Sequence, residues 1–316
     1  MSDSLTFRLL KYIKESAETL NFTRAAERVF VAQSSLSHQI GKFESNLDLT
    51  LFERTQNGLR LTAAGRMIAA YAENTLKDWE QTLIMAHAVQ RHQVPPLRLG
   101  FSSFVHAKVI EKFHETYDGM FTGCAIQLIS GDPVFCLQHL DAGLLDCAIL
   151  PLPIDANLYS VQPLSRTPLV VCMRTDDVLA ERAQLNIREI AARITVFRDP
   201  EQYPSAHARL IEMFTEAGVT LHVACSARTP AEIQWMVRER YGLALIDQLL
   251  PLEPGLVTRP LAGLSWTADT AFIHLRKAGH VALPFIERFF EESWSESRKK
   301  KHPSKGEHPE QLQLLA

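Results

Sequence analysis

Apolar residues near the amino terminus recur at helical spacing and predict three short helices within residues 5–47. In the third helix the apolar positions fall on one side, at about 100° per residue, as expected for a stripe that packs into a core. That stripe consists of Leu36, Ile40, Phe43 and Leu47. The other side carries small polar residues and a lysine but no acid, so it suits contact with a polyanion.

Capping residues mark where the second and third helices begin. Asn21 or Thr23 is expected to cap the second helix, and Ser34 or Ser35 the third. The inward side of the second helix is expected to carry Ala26, Val29 and Phe30.

A hairpin is predicted after the third helix, between two short apolar runs. Asn57–Gly58 separates these runs, and Asn-Gly is the strongest short-range signal for a hairpin turn. Arg54 and Arg60 flank the turn, so the hairpin is predicted to be a basic wing beside the three helices.

A long helix is predicted from Thr62, its cap, to about Gln93, where Pro95–Pro96 ends it. Its apolar residues repeat at alternating spacings of three and four, as in a seam that pairs with a partner helix. A helix packed on its own domain is the alternative. The seam consists of Ala69, Ala72, Leu76, Trp79, Leu83 and Ala86.

From Leu97 onward, short apolar runs alternate with amphipathic helices. This alternation predicts an α/β region with mostly buried, parallel strands, and its length suggests two small sheets. The predicted strands cover residues 97–102, 125–129, 146–150, 168–173, 194–197, 221–225, 242–246 and 271–275. The tail, residues 296–316, is polar and charged and is expected to be disordered.

Several function classes are disfavoured by what the chain lacks. No apolar run approaches the roughly 18 residues of a membrane span, and the amino terminus lacks a signal peptide's apolar segment. We therefore expect a cytoplasmic protein without membrane contact. The cysteines and histidines show no metal-ligand spacing, and no nucleotide-binding or hydrolase motif occurs, so no metal, cofactor or catalytic residue is expected.

The string over residues 10–65 resembles the DNA-binding segment of the LysR-type transcriptional regulators. It contains A-A-E-R, A-Q-S-S-L-S-H-Q-I, L-F-E-R and L-T-A-A-G in the family's order. Two positions depart from the family pattern: Ser34, which is often proline, and His38, which is often arginine. Neutral histidine cannot donate two parallel hydrogen bonds to phosphate or guanine as arginine does, so the DNA contact at this position is expected to differ from the family pattern.

The resemblance covers about residues 5–295 and implies three parts. A winged helix-turn-helix DNA-binding domain (1–61) is followed by a linker helix for dimerisation (62–94) and an effector-binding domain (95–295) like the periplasmic binding proteins. The two α/β lobes of that domain would span about 95–167 with 268–295, and about 168–267.

The implied function is a sequence-specific transcriptional regulator whose promoter binding is modulated by a small-molecule effector. The implied partners are double-stranded promoter DNA, the effector, and further copies of the chain. These copies form a homodimer through the linker helix and then a tetramer, of which the sequence itself supports only the dimer. RNA polymerase is a candidate partner.

In helix-turn-helix proteins the start of the third helix faces base edges in the major groove. Gln33 can pair with adenine, while other polar residues contact the phosphate backbone and Arg54 approaches the minor groove. The candidate set is Thr23, Gln33, Ser34, Ser35, Ser37, His38, Lys42 and Arg54. For each of these residues alone, solvated polar surface is the alternative.

Ligands of α/β sheets gather at the carboxyl ends of strands and at helix N-termini. The candidates selected by this rule are Ser102, Ser103, Phe104, Ser130, Gly131, Pro151, Arg198, Tyr203 and Thr229. Arg198 can hold a carboxylate bidentately. The segment F-R-D-P-E-Q-Y-P resembles the subgroup for aromatic-compound catabolism, which implies an organic acid or aromatic metabolite. The alternatives are serines that cap helices, and Arg198 paired with Asp199 or Glu201.

Three rival interpretations remain: an enzyme built on the α/β region, an exported solute-binding protein, and a regulator that binds DNA without a ligand. The sequence leaves open the effector's identity, the operator and the sign of regulation.

Overall fold

The chain divides into two compact units, Met1–Gln93 and Val94–Ala316. A computed structural model describes residues 5–55, 58–91, 93–277 and 279–290. The predicted disordered tail and Asn57 of the predicted turn lie outside the described residues. Within the described ranges, no helix is long and apolar enough to cross a membrane.

The first unit is a three-helix bundle followed by a hairpin and a long helix. Its elements are α1 (Phe7–Thr19), α2 (Phe22–Arg28), α3 (Gln33–Leu47), β1 (Phe52–Thr55), β2 (Gly58–Leu61) and α4 (Ala63–Gln90). The two strands pair antiparallel, with Phe52 opposite Leu61. This order of elements is a winged helix-turn-helix.

Local sequence signals account for most boundaries in this unit. The Asn21 side chain caps α2 by accepting from the amides of Thr23 and Arg24. Thr62 caps α4 by accepting from the Gly65 amide at 2.9 Å. The predicted cap of α3 was wrong: the helix begins at Gln33, and its N-cap residue, Ala32, makes no side-chain capping bond.

In the core of the first unit, the predicted apolar stripe on α3 is confirmed, whereas the predicted inward side of α2 is wrong at one residue. Leu36, Ile40 and Phe43 are buried. Phe30 was predicted to face inward but is 94% exposed. Because α2 ends at Arg28, Phe30 lies in the turn with a left-handed backbone (φ 56°), which directs its ring outward.

The predicted seam on α4 is partly occupied by its own unit. Ala72 is fully buried in the core with α1 and α3, and Ala69 and Leu76 pack against that core. Trp79 contacts the ring of Phe7, with centroids 5.1 Å apart. The seam prediction is therefore wrong for this first half, since the alternative of packing on the same domain applies there.

The second unit contains nine strands and six helices in its described part. The strands are β3 (Leu97–Phe101), β4 (Ile126–Ser130), β5 (Cys147–Pro151), β6 (Tyr159–Arg174), β7 (Ile194–Arg198), β8 (Cys225–Ala227), β9 (Leu243–Asp247), β10 (Leu256–Pro260) and β11 (Thr267–Leu275). The helices are α5 (Ala107–Met120), α6 (Pro133–Asp141), α7 (Ile187–Ile190), α8 (Pro204–Glu216), α9 (Pro230–Arg238) and α10 (residues 283–290).

These strands form one continuous sheet in the order β4-β3-β5-β11-β6-β9-β7-β8, with β10 on β6. The prediction of two small sheets is confirmed with one change: the 16-residue strand β6 belongs to both of them and so joins them into one continuous sheet. Its first half pairs with β11, and its second half with β9 and β10. The prediction of a strand over 221–225 was wrong, since β8 begins only at Cys225.

The domain is nevertheless two-lobed around β6 and β11. Lobe 1 contains β3, β4 and β5 with α5 and α6, and lobe 2 contains β7, β8 and β9 with α8 and α9. Separate apolar clusters fill them, for example Leu140 and Ile273 in lobe 1 and Phe197 and Phe214 in lobe 2. Each lobe thus has its own apolar core, and the two lobes are joined through β6 and β11. This arrangement allows a cleft between the lobes.

Candidate functional site

The exposed face of α3 carries most of the DNA-binding candidates. Gln33, Ser34, Ser35, His38 and Lys42 are exposed along it. Ser37 is half-buried, and its hydroxyl donates to the Ser34 carbonyl at 3.3 Å. Thr23 is exposed at the start of α2, and Arg54 is exposed on β1. The structure therefore presents all eight side chains at the surface of one small unit.

Two cations of this set are unpaired within the described part of the chain. Lys42 and Arg54 make no ion pair there. By contrast, Arg60 on β2 is bound to Glu53 at 2.5 Å, and Arg28 is held by Glu15 and Glu18. Only unpaired cations can contact phosphate without first breaking an existing bond.

Glu44 fixes the wing to α3, a role that the sequence did not reveal. Its carboxylate oxygen Oε1 accepts from the amides of Leu51 at 2.6 Å and Phe52 at 3.0 Å. These amides begin the wing, so one side chain sets where β1 starts relative to α3. The only signal in the sequence was a lone acid at the flank of an otherwise acid-free helix face.

Five of the effector candidates meet between the lobes. The loop after β3 brings Ser102, Ser103 and Phe104 to the start of α8. Buried Ser102 lies 3.3 Å from the Tyr203 hydroxyl, oxygen to oxygen. The rings of Phe104 and Tyr203 meet edge to face, 5.0 Å apart. Burial raises the pKa of Tyr203, so the phenol is a neutral hydrogen-bonding group.

Arg198 lies in the same cleft at the end of β7. Its guanidinium carbon is 4.3 Å from the centroid of the Phe104 ring, which covers one face of the cation. The expected alternative partner, Asp199, is bound instead to Arg228 at 3.2 Å. Among the described residues, the Arg198 guanidinium donates no hydrogen bond and joins no ion pair. Burial lowers the pKa of Arg198, and this effect outweighs the opposite effect of Tyr203 and Asp247.

A chain of hydrogen bonds beside the cleft was missed from the sequence; it joins Asp247, Leu249 and His106. Asp247 ends β9, and its carboxylate accepts from the Leu249 amide at 2.7 Å. His106 Nε2 lies 3.1 Å from the Leu249 carbonyl. The strand-end rule that selected Arg198 would also have selected Asp247, because it follows the apolar run 242–246 directly.

Among the described residues, no hydrogen bond or ion pair joins the remaining candidates to this cluster. The Gly131 amide donates to the Phe101 carbonyl at 3.0 Å, and Pro151 sits opposite Thr270 in the sheet. Thr229 caps α9 by accepting from the Glu232 amide at 3.2 Å. Ser130 is exposed at the end of β4. The structure thus brings together only part of the predicted set.

An apolar cavity adjoins Arg198 near the strands that join the lobes. Its other lining residues include Leu152, Leu169, Phe197, Leu210, Met213 and Leu245. Arg209 also lines it, but it is paired with Glu212 and Glu216, so Arg198 is the cavity's arginine without an ion pair among the described residues. Apolar walls beside such a cation suit an apolar body that carries an anionic group. Within the described ranges, no group of three or more His, Cys, Asp or Glu could hold a metal ion.

A winged helix-turn-helix followed by a two-lobed α/β domain with a polar cleft defines a ligand-responsive DNA-binding regulator. Residues 7–66 match the bacterial regulatory helix-turn-helix protein of the lysR family, and residues 90–293 match the LysR substrate binding domain. The chain belongs to the LysR family of transcriptional regulators, which are not enzymes.

Curated relatives and solved structures agree with this assignment over nearly the whole chain. The transcriptional regulator YvbU of Bacillus subtilis is 27% identical over 90% of this chain and 97% of its own. CatR of Pseudomonas putida is 26% identical over 90% and 96%. The fold also matches CbnR in complex with its target DNA, with a TM-score of 0.54, 16% identity, and 91% and 99% of the chains covered.

Proposed function

We propose that this regulator reads promoter DNA through α3 and the wing, and that a small organic acid in the cleft modulates the binding. Residues 1–61 would read the DNA, 62–94 would join two copies, and 95–295 would sense the effector. Because the target is promoter DNA, the proposed place of action is the cytoplasm.

The observation that carries the DNA-binding proposal is the acid-free, exposed face of α3 beside two unpaired cations. Gln33 stands at the start of the helix, where side chains of helix-turn-helix proteins approach base edges. Lys42 and Arg54 are placed for phosphate or minor-groove contacts, which position the protein without reading sequence. Ser34, Ser35, Ser37, His38 and Thr23 complete the proposed contact set.

The proposal of an organic acid rests on Arg198. A desolvated guanidinium with unused donors favours a carboxylate, which it can hold with two parallel hydrogen bonds. Ser102, Ser103 and Tyr203 offer further hydrogen bonds, and the adjoining apolar cavity suits an aromatic or aliphatic body. The other four candidates are proposed only as outer residues of the cleft: Ser130, Gly131, Pro151 and Thr229.

A homodimer through α4 is proposed because this helix keeps apolar surface beyond its own core. Leu83 and Ile84 are 40% and 53% exposed, and Trp79 is 46% exposed despite its contact with Phe7. Two joined modules reach successive half-sites, which a single module cannot. A tetramer, and contact with RNA polymerase at the promoter, are proposed extensions of this assembly. A coupling of about 1–3 kcal/mol between effector and DNA gives about a 5–150-fold change in affinity.

Fluorescence anisotropy with the promoter region upstream of the regulator's own gene, and with random DNA, tests the proposal. Selective binding that weakens with salt is expected, and Gln33→Ala should remove the selectivity. Glu27→Ala, at an exposed position of α2, is the matched control and should bind like the unmodified protein. Equal, weak binding to both DNAs would contradict the proposal. Sedimentation of Leu83→Glu against the unmodified chain tests the dimer.

A further inference from the structure

A second cavity, of about 550 Å³, lies at the edge of lobe 1 opposite to the effector cleft. Its wall contains Arg98 at the start of β3, Gln127 at the start of β4, Asp146 directly before β5, and Leu275 at the end of β11. Because β3, β4 and β5 are parallel and β11 is antiparallel to β5, these positions share the amino edge of the lobe's strands. A cavity of this volume is large enough for a small molecule.

This cavity is separate from the effector cleft, which lies at the carboxyl ends of the same strands. β3 has five residues and Ser102 follows it directly, so the two edges are roughly 15 Å apart. None of the described residues that line this cavity also lines the cavity beside Arg198. The rule applied to the sequence selects only the carboxyl ends of strands, so it could not find these residues.

Much of the cavity wall is apolar. Leu140 and Leu145 are buried and Leu275 is half-buried, so they form its inner surface. Pro95 and Pro96 add apolar surface at the rim. These two prolines follow α4 in the chain, so a ligand here would contact the segment that leads from α4 into this unit. A wall of this kind suits a ligand with an apolar body.

Three of the polar lining residues are satisfied within the protein. Arg98 binds the Asp146 carboxylate through Nε at 3.1 Å and Nη2 at 2.7 Å, so these two charges balance. In His280, Nδ1 accepts from the Ala282 amide at 3.2 Å, and Nε2 lies 3.1 Å from the Pro95 carbonyl. That pattern fits a neutral ring with its proton on Nε2.

Lys277 is the remaining charged residue of the lining. It is exposed at the rim, and it makes no hydrogen bond or ion pair among the described residues. Arg98 Nη1 is also unused there, because Asp146 binds the other two nitrogens of the guanidinium. With Arg98 and Lys277 against Asp146, the lining carries an excess positive charge, which favours an anionic ligand over a neutral or cationic one.

We propose that this cavity is a second small-molecule site, which binds an anion with an apolar body, such as an aromatic carboxylate or sulfonate. The anionic group binds Lys277 Nζ and Arg98 Nη1, and the apolar body packs on Leu145 and Leu275. The site shares no residue with the effector cleft, so it adds a second ligand to the proposed function and does not depend on the first.

Fluorescence titration of the full chain with anilinonaphthalene sulfonate tests this proposal, because the probe joins a single negative charge to an apolar body. Phenylnaphthylamine, which lacks the sulfonate, is the matched neutral probe. Lys277→Gln should weaken binding of the sulfonate about fivefold, the upper range for an exposed charge pair, and should leave binding of the neutral probe unchanged. Lys11→Gln, the same change at an exposed position of α1, is the control and should bind both probes like the unmodified chain.

Gly279→Trp should block the cavity, because a Cβ added at Gly279 meets no atom within 4 Å and a side chain can be accommodated there. Gly119→Trp, at an exposed glycine of α5 with the same free space, is its control. Arg198→Gln changes only the effector cleft and should keep the binding that Lys277→Gln weakens.

The variants separate the two ligand sites. If Lys277→Gln and Gly279→Trp both bind the sulfonate like the unmodified chain, the second site does not exist. If Arg198→Gln alone loses the sulfonate, the probe occupies the effector cleft, so the proposal is wrong while the organic-acid proposal gains support.

Discussion

The Glu44 carboxylate accepts a hydrogen bond of 2.6 Å from the Leu51 amide, and so ties the end of α3 to the start of the wing. The same oxygen accepts from the Phe52 amide at 3.0 Å. Leu51 and Phe52 are themselves buried in the core of the unit. Two buried backbone donors therefore depend on one acid, and the wing's Arg54 is positioned relative to α3 through it.

Glu44→Ala should destabilise the winged helix-turn-helix by about 1–3 kcal/mol, because the amides of Leu51 and Phe52 lose the carboxylate that accepts from them. Urea unfolding followed by circular dichroism measures this change. Glu27→Ala, which removes an exposed acid from α2, should cost less than about 0.5 kcal/mol. Equal effects of the two substitutions would show that the bonds from Glu44 contribute nothing to stability.

Local patterns were sufficient to predict the helices of the first unit. Leu36, Ile40 and Phe43 recur at the helical period, and Thr62 precedes α4 as a capping residue, so neighbouring residues alone determine these elements. The prediction for Phe30 was wrong because the orientation of its side chain depends on the left-handed turn that follows α2. No periodic pattern encodes a single residue with positive φ.

Long-range pairing explains what the sequence could not reveal in the second unit. β6 contains two prolines, Pro163 and Pro168, so only its second half appears as an apolar run, although the strand pairs with β11 along its first half. Ser102, directly after β3, meets the Tyr203 hydroxyl 101 positions later in the chain. Such contacts follow from topology, which was predicted only in outline.

Lys42→Ala and Gln33→Ala should weaken DNA binding in different ways. A phosphate contact carries no sequence information, so loss of Lys42 should lower affinity for every DNA and reduce the salt slope by about 1. Loss of Gln33 should cost about 1–3 kcal/mol on the selected DNA alone and leave the slope unchanged. Anisotropy titrations at several salt concentrations separate the two cases, with Lys77→Ala on α4 as a control. A loss of selectivity in Lys42→Ala would contradict these roles.

Tyr203→Phe should loosen the contact between the lobes with little change in packing. The substitution keeps the ring against Phe104 but removes the hydroxyl that meets buried Ser102. A net loss of about 0.5–1.5 kcal/mol is expected, which lowers the melting temperature by a few degrees. Scanning calorimetry measures it, and Tyr241→Phe at an exposed position is the control. An unchanged melting temperature in Tyr203→Phe would mean that the hydrogen bond to Ser102 in the fold is no stronger than the bonds that the hydroxyl makes to water in the unfolded chain.

The acid limit of stability should depend on the ion pair between Arg98 and Asp146 in lobe 1. Arg98 Nη2 and Nε donate to the two carboxylate oxygens at 2.7 and 3.1 Å, and the Arg98 amide adds a third bond at 2.8 Å. Burial alone would raise the pKa of Asp146, but these bonds outweigh it and lower the pKa below its ordinary value of 3.8.

A carboxyl group whose pKa is lower in the folded than in the unfolded chain stabilises the fold above the unfolded pKa. Its contribution is therefore complete at neutral pH and is lost as the pH falls from about 4 through the folded pKa. Asp146→Asn should cost about 1–3 kcal/mol at neutral pH and flatten the decline of unfolding free energy below pH 4, as measured by urea titrations across pH. Asp118→Asn should leave that decline intact. Parallel curves for Asp146→Asn and the unmodified chain would place the acid sensitivity in other carboxyl groups, because a neutral side chain at position 146 cannot contribute to it.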